Sequence, residues 1–83
     1  MASKVAYKAS VDSDLRRLDK PTARRLLERL ERVLSQDPHA GTALRGEFHG
    51  LFRYRVGSYR IVYAKTSDGV LILRIGHRKD VYR

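Results

Sequence analysis

FRYRVGSYRIVY, residues Phe52 to Tyr63, alternates apolar and polar side chains on either side of a Gly-Ser pair. If Gly57-Ser58 is a two-residue type II′ loop, Val56 pairs with Tyr59, Arg55 with Arg60, Tyr54 with Ile61, Arg53 with Val62 and Phe52 with Tyr63. Paired residues project to the same side of a sheet. One face of this hairpin therefore carries Phe52, Tyr54, Val56, Tyr59, Ile61 and Tyr63, an unbroken apolar surface that calls for helices. The other gathers Arg53, Arg55 and Arg60. Arg55 opposite Arg60 costs an isolated sheet about a few tenths of a kcal/mol, so an arginine face without a purpose is a small defect.

The next strand tests the assignment. A two-residue Asp68-Gly69 turn would send Leu71, Leu73 and Ile75 to the arginine side. A three-residue loop Ser67-Asp68-Gly69, with Gly69 in the left-handed position of a G1 bulge, pairs Tyr63 with Leu73 and Ile61 with Ile75. A one-residue slip reverses every side chain, so the hydrophobic pattern selects the second option. Arg74 then joins the basic face beside Val62, Gly76 leaves space opposite Arg60, Arg78 follows on the same rim, and His77 turns towards the core side. No carboxylate is predicted among these arginines. A planar guanidinium matches phosphate oxygens and keeps its charge at physiological pH, so the face reads as an anion site.

Upstream, Lys4 to Lys8 alternates as a short strand, and Ser10 or Asp12 can cap a first helix containing Leu15 and Leu18. Lys20-Pro21 breaks that helix and restarts the chain. From Thr22 to Gln36, Leu26, Leu27, Leu30, Val33 and Leu34 form one apolar stripe, and Asp37-Pro38 ends it. His39 to Gly50, with three glycines, reads as a loop. The order β-α-α-β-β-β implies a single α+β domain over residues 1–83, with two helices packed on one face of a mainly antiparallel four-stranded sheet.

The charge distribution points to the partner class. Net charge is +9, and residues 38–83 hold nine Lys/Arg against three Asp/Glu. Such a field attracts nucleic acid by steering and counterion release. An acidic membrane fits less well, because the basic residues alternate along strands and do not line an amphipathic helix. The chain has no cysteine, and His39, His49 and His77 lack metal-ligand spacing, so no metal and no cofactor is expected. The N-terminal residues show no signal-peptide run, and the expected location is cytoplasmic.

Three motifs taken together carry a family resemblance: LRG at Leu44 to Gly46, FRYRVGSYRIVY, and RIGHRKDVY at Arg74 to Tyr82. Within them, YR-x-x-Y (Tyr59 to Tyr63) and GHR-x-x-VY (Gly76 to Tyr82) are the most specific parts. The chain resembles the RelE/ParE toxin superfamily, and within it the RelE-type ribosome-dependent mRNA endonucleases. That resemblance implies a toxin of a type II toxin-antitoxin system that enters the ribosomal A site and cleaves mRNA there by attack of a 2′-OH on the adjacent phosphate. It implies a catalytic set of Arg53, Arg55, Arg60, Arg78 and Tyr82, and RNA contacts from Arg53, Arg55, Arg74, Lys79 and Arg83. Its implied partners are a cognate antitoxin, in a hetero-oligomer, together with mRNA and ribosomal RNA.

The match has one departure. RelE-type sites use lysines in the first hairpin strand, where this chain has Arg53 and Arg55, and a guanidinium is a poor general base. His77, beside Arg78, is the first candidate for base or acid; Glu47 and His49 are weaker ones. Two other functions share these features. A ParE-like gyrase poison has the same fold, generally without the basic constellation. A non-catalytic nucleic-acid-binding domain of the RRM kind would present aromatics to bases, whereas here they occupy the predicted core face.

Overall fold

A computed structural model describes residues 3–77 of the 83. Strand β1 (Lys4–Tyr7) leads into helices α1 (Ser10–Arg16) and α2 (Lys20–Gln36), followed by β2 (Thr42–Ala43), a 3₁₀ turn (Gly46–Phe48), β3 (Leu51–Val56), β4 (Tyr59–Lys65) and β5 (Gly69–His77). The sheet has five strands in the order β1-β5-β4-β3-β2. β1 pairs with β5 in parallel, and the remaining pairs are antiparallel. The α+β class is as expected. The sheet has one strand more than the predicted four, because the segment read as a loop lays Thr42 and Ala43 against Arg53 and Phe52.

α2 forms where its stripe predicts. Asp19 accepts a hydrogen bond from the Thr22 amide at 3.1 Å and another from its hydroxyl at 2.7 Å, which satisfies an otherwise orphaned N–H of the first turn. Pro21 sits in that same turn. Asp37 is the C-cap and Pro38 follows. α1 differs from expectation: its N-cap is Ala9, with no side-chain cap. Ser10 instead donates its hydroxyl to the Leu73 carbonyl at 2.8 Å.

Val11, Leu26, Leu30 and Leu34 from the helices close on Ile61, Tyr63, Val70, Ile72 and Ile75 from β4 and β5, all nearly inaccessible. Each large aliphatic side chain enclosed in this way contributes about 1.5–3 kcal/mol. Tyr63 brings a hydroxyl into this layer and uses it fully, donating to the Pro38 carbonyl and accepting from the Gly41 amide, both at 2.9 Å. Burial, the main cause, raises its pKa above the ordinary tyrosine value. These bonds tie the segment after α2 to the sheet.

The β3–β4 register matches the predicted pairing residue for residue. Gly57 has φ +59° and Ser58 does not enter the left-handed region, as a type II′ turn requires. The β4–β5 register agrees only in part. Ile61 pairs with Ile75, Val62 with Arg74 and Arg60 with Gly76, but Tyr63 pairs with Ile72 across a bulge between Val62 and Tyr63. The extra residue is Leu73, not Gly69. The cause lies on the other side of β5. Gly69 is drawn into the ladder opposite Lys4, so close that a Cβ there would lie 1.9 Å from the Lys4 carbonyl oxygen. That docking holds Gly69 in extended conformation and moves the irregularity along the strand. Val70 and Ile72 consequently enter the core, whereas Leu71 and Leu73, expected there, are half-buried.

Candidate nucleic-acid interface

The face of the sheet away from the helix-side core carries the residues that the hairpin alternation set aside. Arg55, Arg60 and Gly76 lie in one row across β3, β4 and β5, and Arg53, Val62 and Arg74 in the next. Directly opposed side chains start about 4.5–5.5 Å apart at Cβ, so the guanidinium groups share one small area. Val62 is only 5% exposed yet lies outside the helix-side cluster. Its cross-strand neighbours are Arg53 and Arg74, whose aliphatic stems can shelter it while their heads stay out. Arg60 is half-buried with its Nε enclosed, and Arg55 is exposed. Gly76, lacking a side chain, stands opposite Arg60.

Arg74 departs from expectation. Asp14 of α1, only 7% exposed, accepts from Arg74 Nε at 3.1 Å and Nη2 at 3.4 Å and from the Ile75 amide at 2.9 Å. A carboxylate therefore joins the rim of the face. The chain geometry explains how it gets there: β1 pairs with β5 only as far as Tyr7 opposite Ile72, and α1 then occupies the vacated edge, where Ser10 and Asp14 meet backbone groups of Leu73 and Ile75.

The open face also holds an apolar row missed in the sequence. Ala6, Leu71, Ala64 and Leu51 align across β1, β5, β4 and β3, each partly or fully exposed. The bulge creates it, since reversing the alternation at Leu73 puts Leu71 outside. Only β-branched and small residues around Tyr63 hinted at it.

His77 pairs with Tyr59, and their rings meet edge-on at 6.0 Å between centroids. This places it on the helix side, as alternation predicted, and across the sheet from Arg60 and Gly76. Glu47 and His49 are exposed, in and just after the 3₁₀ turn. Arg78, Lys79, Tyr82 and Arg83 lie outside the described residues. Of the predicted site residues, the structure thus brings Arg53, Arg55, Arg60 and Arg74 to one face and sets His77 on the other. Among the described residues there is no group of three or more His, Cys, Asp or Glu able to hold a metal ion.

Residues 5–82 match the family model described as the ParE toxin of the type II toxin-antitoxin system parDE. The chain belongs to this toxin family. Within the wider RelE/ParE superfamily, its relatives carry RelE-type names. Toxin RelE of Mycobacterium tuberculosis is 39% identical over 83 residues, spanning 95% of this chain and 84% of that toxin. Toxin RelG of the same organism is 43% identical over 53 residues, or 60% of this chain and 61% of that toxin. The fold agrees with the crystal structure of the toxin-antitoxin complex RelBE2 from M. tuberculosis, at TM-score 0.85 and 30% identity over 94% of this chain and 100% of that one. The ParE/RelE fold thus presents, in this member, an arginine face in which one guanidinium is paired to Asp14.

Proposed function

We propose that this toxin is a ribosome-dependent mRNA endonuclease that cleaves in the A site. The observation that carries the reading is the convergence of Arg53, Arg55 and Arg60 on one open sheet face, with Gly76 opposite Arg60. Attack of a ribose 2′-OH on the adjacent phosphate forms a phosphorane with more negative charge than the ground state and expels the 5′ oxygen. Fixed guanidinium donors favour that phosphorane over the starting diester. Arg60, held half-buried opposite Gly76, and Arg78, two residues beyond Gly76 in sequence, are assigned to the phosphate. Arg53 and Arg55 hold the RNA backbone, and Lys79 and Arg83 extend the basic track. Tyr82 stacks on a base or orients the nucleophile.

His77, on the far side of the sheet, is poorly placed to take the 2′-OH proton. With arginines in place of lysines, the site relies on phosphorane stabilisation and in-line positioning more than on a side-chain base. A cognate antitoxin completes the system: the apolar row beside the arginines suits a segment with apolar and acidic residues, which would cover the charge and the row together. The RelBE2 relative was crystallised as a toxin-antitoxin complex.

The matching family model is named for the ParE toxin, and the second reading is the ParE-like gyrase poison raised by the sequence. Primer extension on mRNA from cells expressing the toxin separates the two. Cleavage gives 5′ ends positioned by codon, and purified protein reproduces them only with ribosomes. Intact mRNA with induction of DNA damage would overturn the nuclease assignment.

A further inference from the structure

Arg74 differs from the other arginines of the face by the company it keeps. Among the described residues Asp14 is the one buried charged side chain, and it takes the Nε and Nη2 donors of Arg74. These form one edge of the guanidinium fork, the edge that binds a phosphate bidentately. The same carboxylate holds the Ile75 amide, one residue before Gly76. We propose that Asp14 is a positioning residue for the RNA site: it withdraws Arg74 from phosphate binding and makes the ion pair a strut that sets β5 as it runs into Gly76 and His77. This rests on the reading of the arginine face as an RNA site.

Two consequences follow from charge and geometry. Without Asp14, Arg74 would stand across Val62 from Arg53 and diagonal to Arg60, adding its charge to the face. With it, that charge is compensated. The strand backbone before Gly76 is anchored independently of the RNA.

The test is the salt dependence of binding to a single-stranded RNA whose sugars are 2′-O-methylated and cannot be cleaved. Each phosphate-bound cation contributes about 0.7 to the slope of log K against log salt for a single strand. Arg53→Gln should lower the slope by about that amount, whereas Arg74→Gln should leave it unchanged. Asp14→Asn keeps an amide oxygen for the Ile75 N–H but frees Arg74, and should steepen the slope by about 0.7. The double variant Asp14→Asn, Arg74→Gln should return to the wild-type slope. In the ribosome assay both single variants should lower kcat by similar factors, with no further loss in the double. If Arg74→Gln lowers the slope as much as Arg53→Gln, Arg74 is a phosphate ligand and the assignment fails; this comparison does not require any Asp14 variant to fold. If Arg53→Gln also leaves the slope unchanged, the RNA reading of the face falls and this inference with it.

Discussion

The two faces of one sheet are made from the same alternating residues and have opposite physical demands. On the helix side, Ile61, Tyr63, Ile72 and Ile75 are sealed under Leu26, Leu30 and Leu34, so nearly every atom contributes to stability. On the open side Arg55 stands opposite Arg60, an arrangement unfavourable in an isolated hairpin that an RNA backbone would relieve under the proposed function. On that reading stability and function are separable along a single strand, and Arg60 and Ile61 are chain neighbours that serve different ends.

That separation is open to direct attack. Replacing Arg60 and Arg78 by alanine should have the largest effect, a loss of about 10³-fold or more in ribosome-dependent cleavage and the end of growth arrest, given about 10²–10³ for one stabilising donor. The double variant should remain folded, which its circular dichroism spectrum checks. A toxic double variant would show that the open face is not the site.

Leu30→Ala should do the reverse. Leu30 is fully inaccessible, and its truncation is expected to cost about 2–5 kcal/mol, measured by urea unfolding, while protein that remains folded cleaves normally. A cost below about 1 kcal/mol would mean that the helix layer is not the core described.

Tyr63→Phe is the finest probe, because it removes one oxygen from the helix side. Loss of the hydroxyl leaves the Pro38 carbonyl and the Gly41 amide without this partner, at a cost of about 1–3 kcal/mol. Its pKa is raised by burial, so the native state keeps the proton to higher pH than the unfolded chain. The stabilisation from that shift is complete below the unfolded tyrosine value of about 10 and is lost as pH rises through the raised folded value. The gap in urea midpoint between wild type and Tyr63→Phe should therefore narrow above about pH 10; a constant gap up to pH 11 would count against the shift.

Much of the architecture was legible because it rests on short-range rules. The Gly57-Ser58 turn sets the β3–β4 register, and the alternation around it sorts arginines from aromatics without any knowledge of the rest of the chain. The leucine stripe of α2, its start at Lys20-Pro21 and its end at Asp37-Pro38 are equally local. β2 was not legible, because two residues paired to β3 have no periodicity to read. Nor was the bulge at Leu73. Its position is set by the parallel docking of β1 on Gly69, between residues about 65 apart in sequence, and local turn chemistry at Ser67-Asp68-Gly69 pointed elsewhere.

The arginine face shows the same division at the level of function. By itself the sequence determined which arginines share a side, since strand alternation has a period of two and the turn pins its phase. Only the tertiary structure decided that Arg74 is paired with Asp14. Asp14 lies 60 residues from Arg74, and its carboxylate reaches the guanidinium because β1 stops at Tyr7 and leaves the edge of β5 for α1 to cover. A contact of that kind depends on where two elements end relative to each other, which the folded chain alone settles.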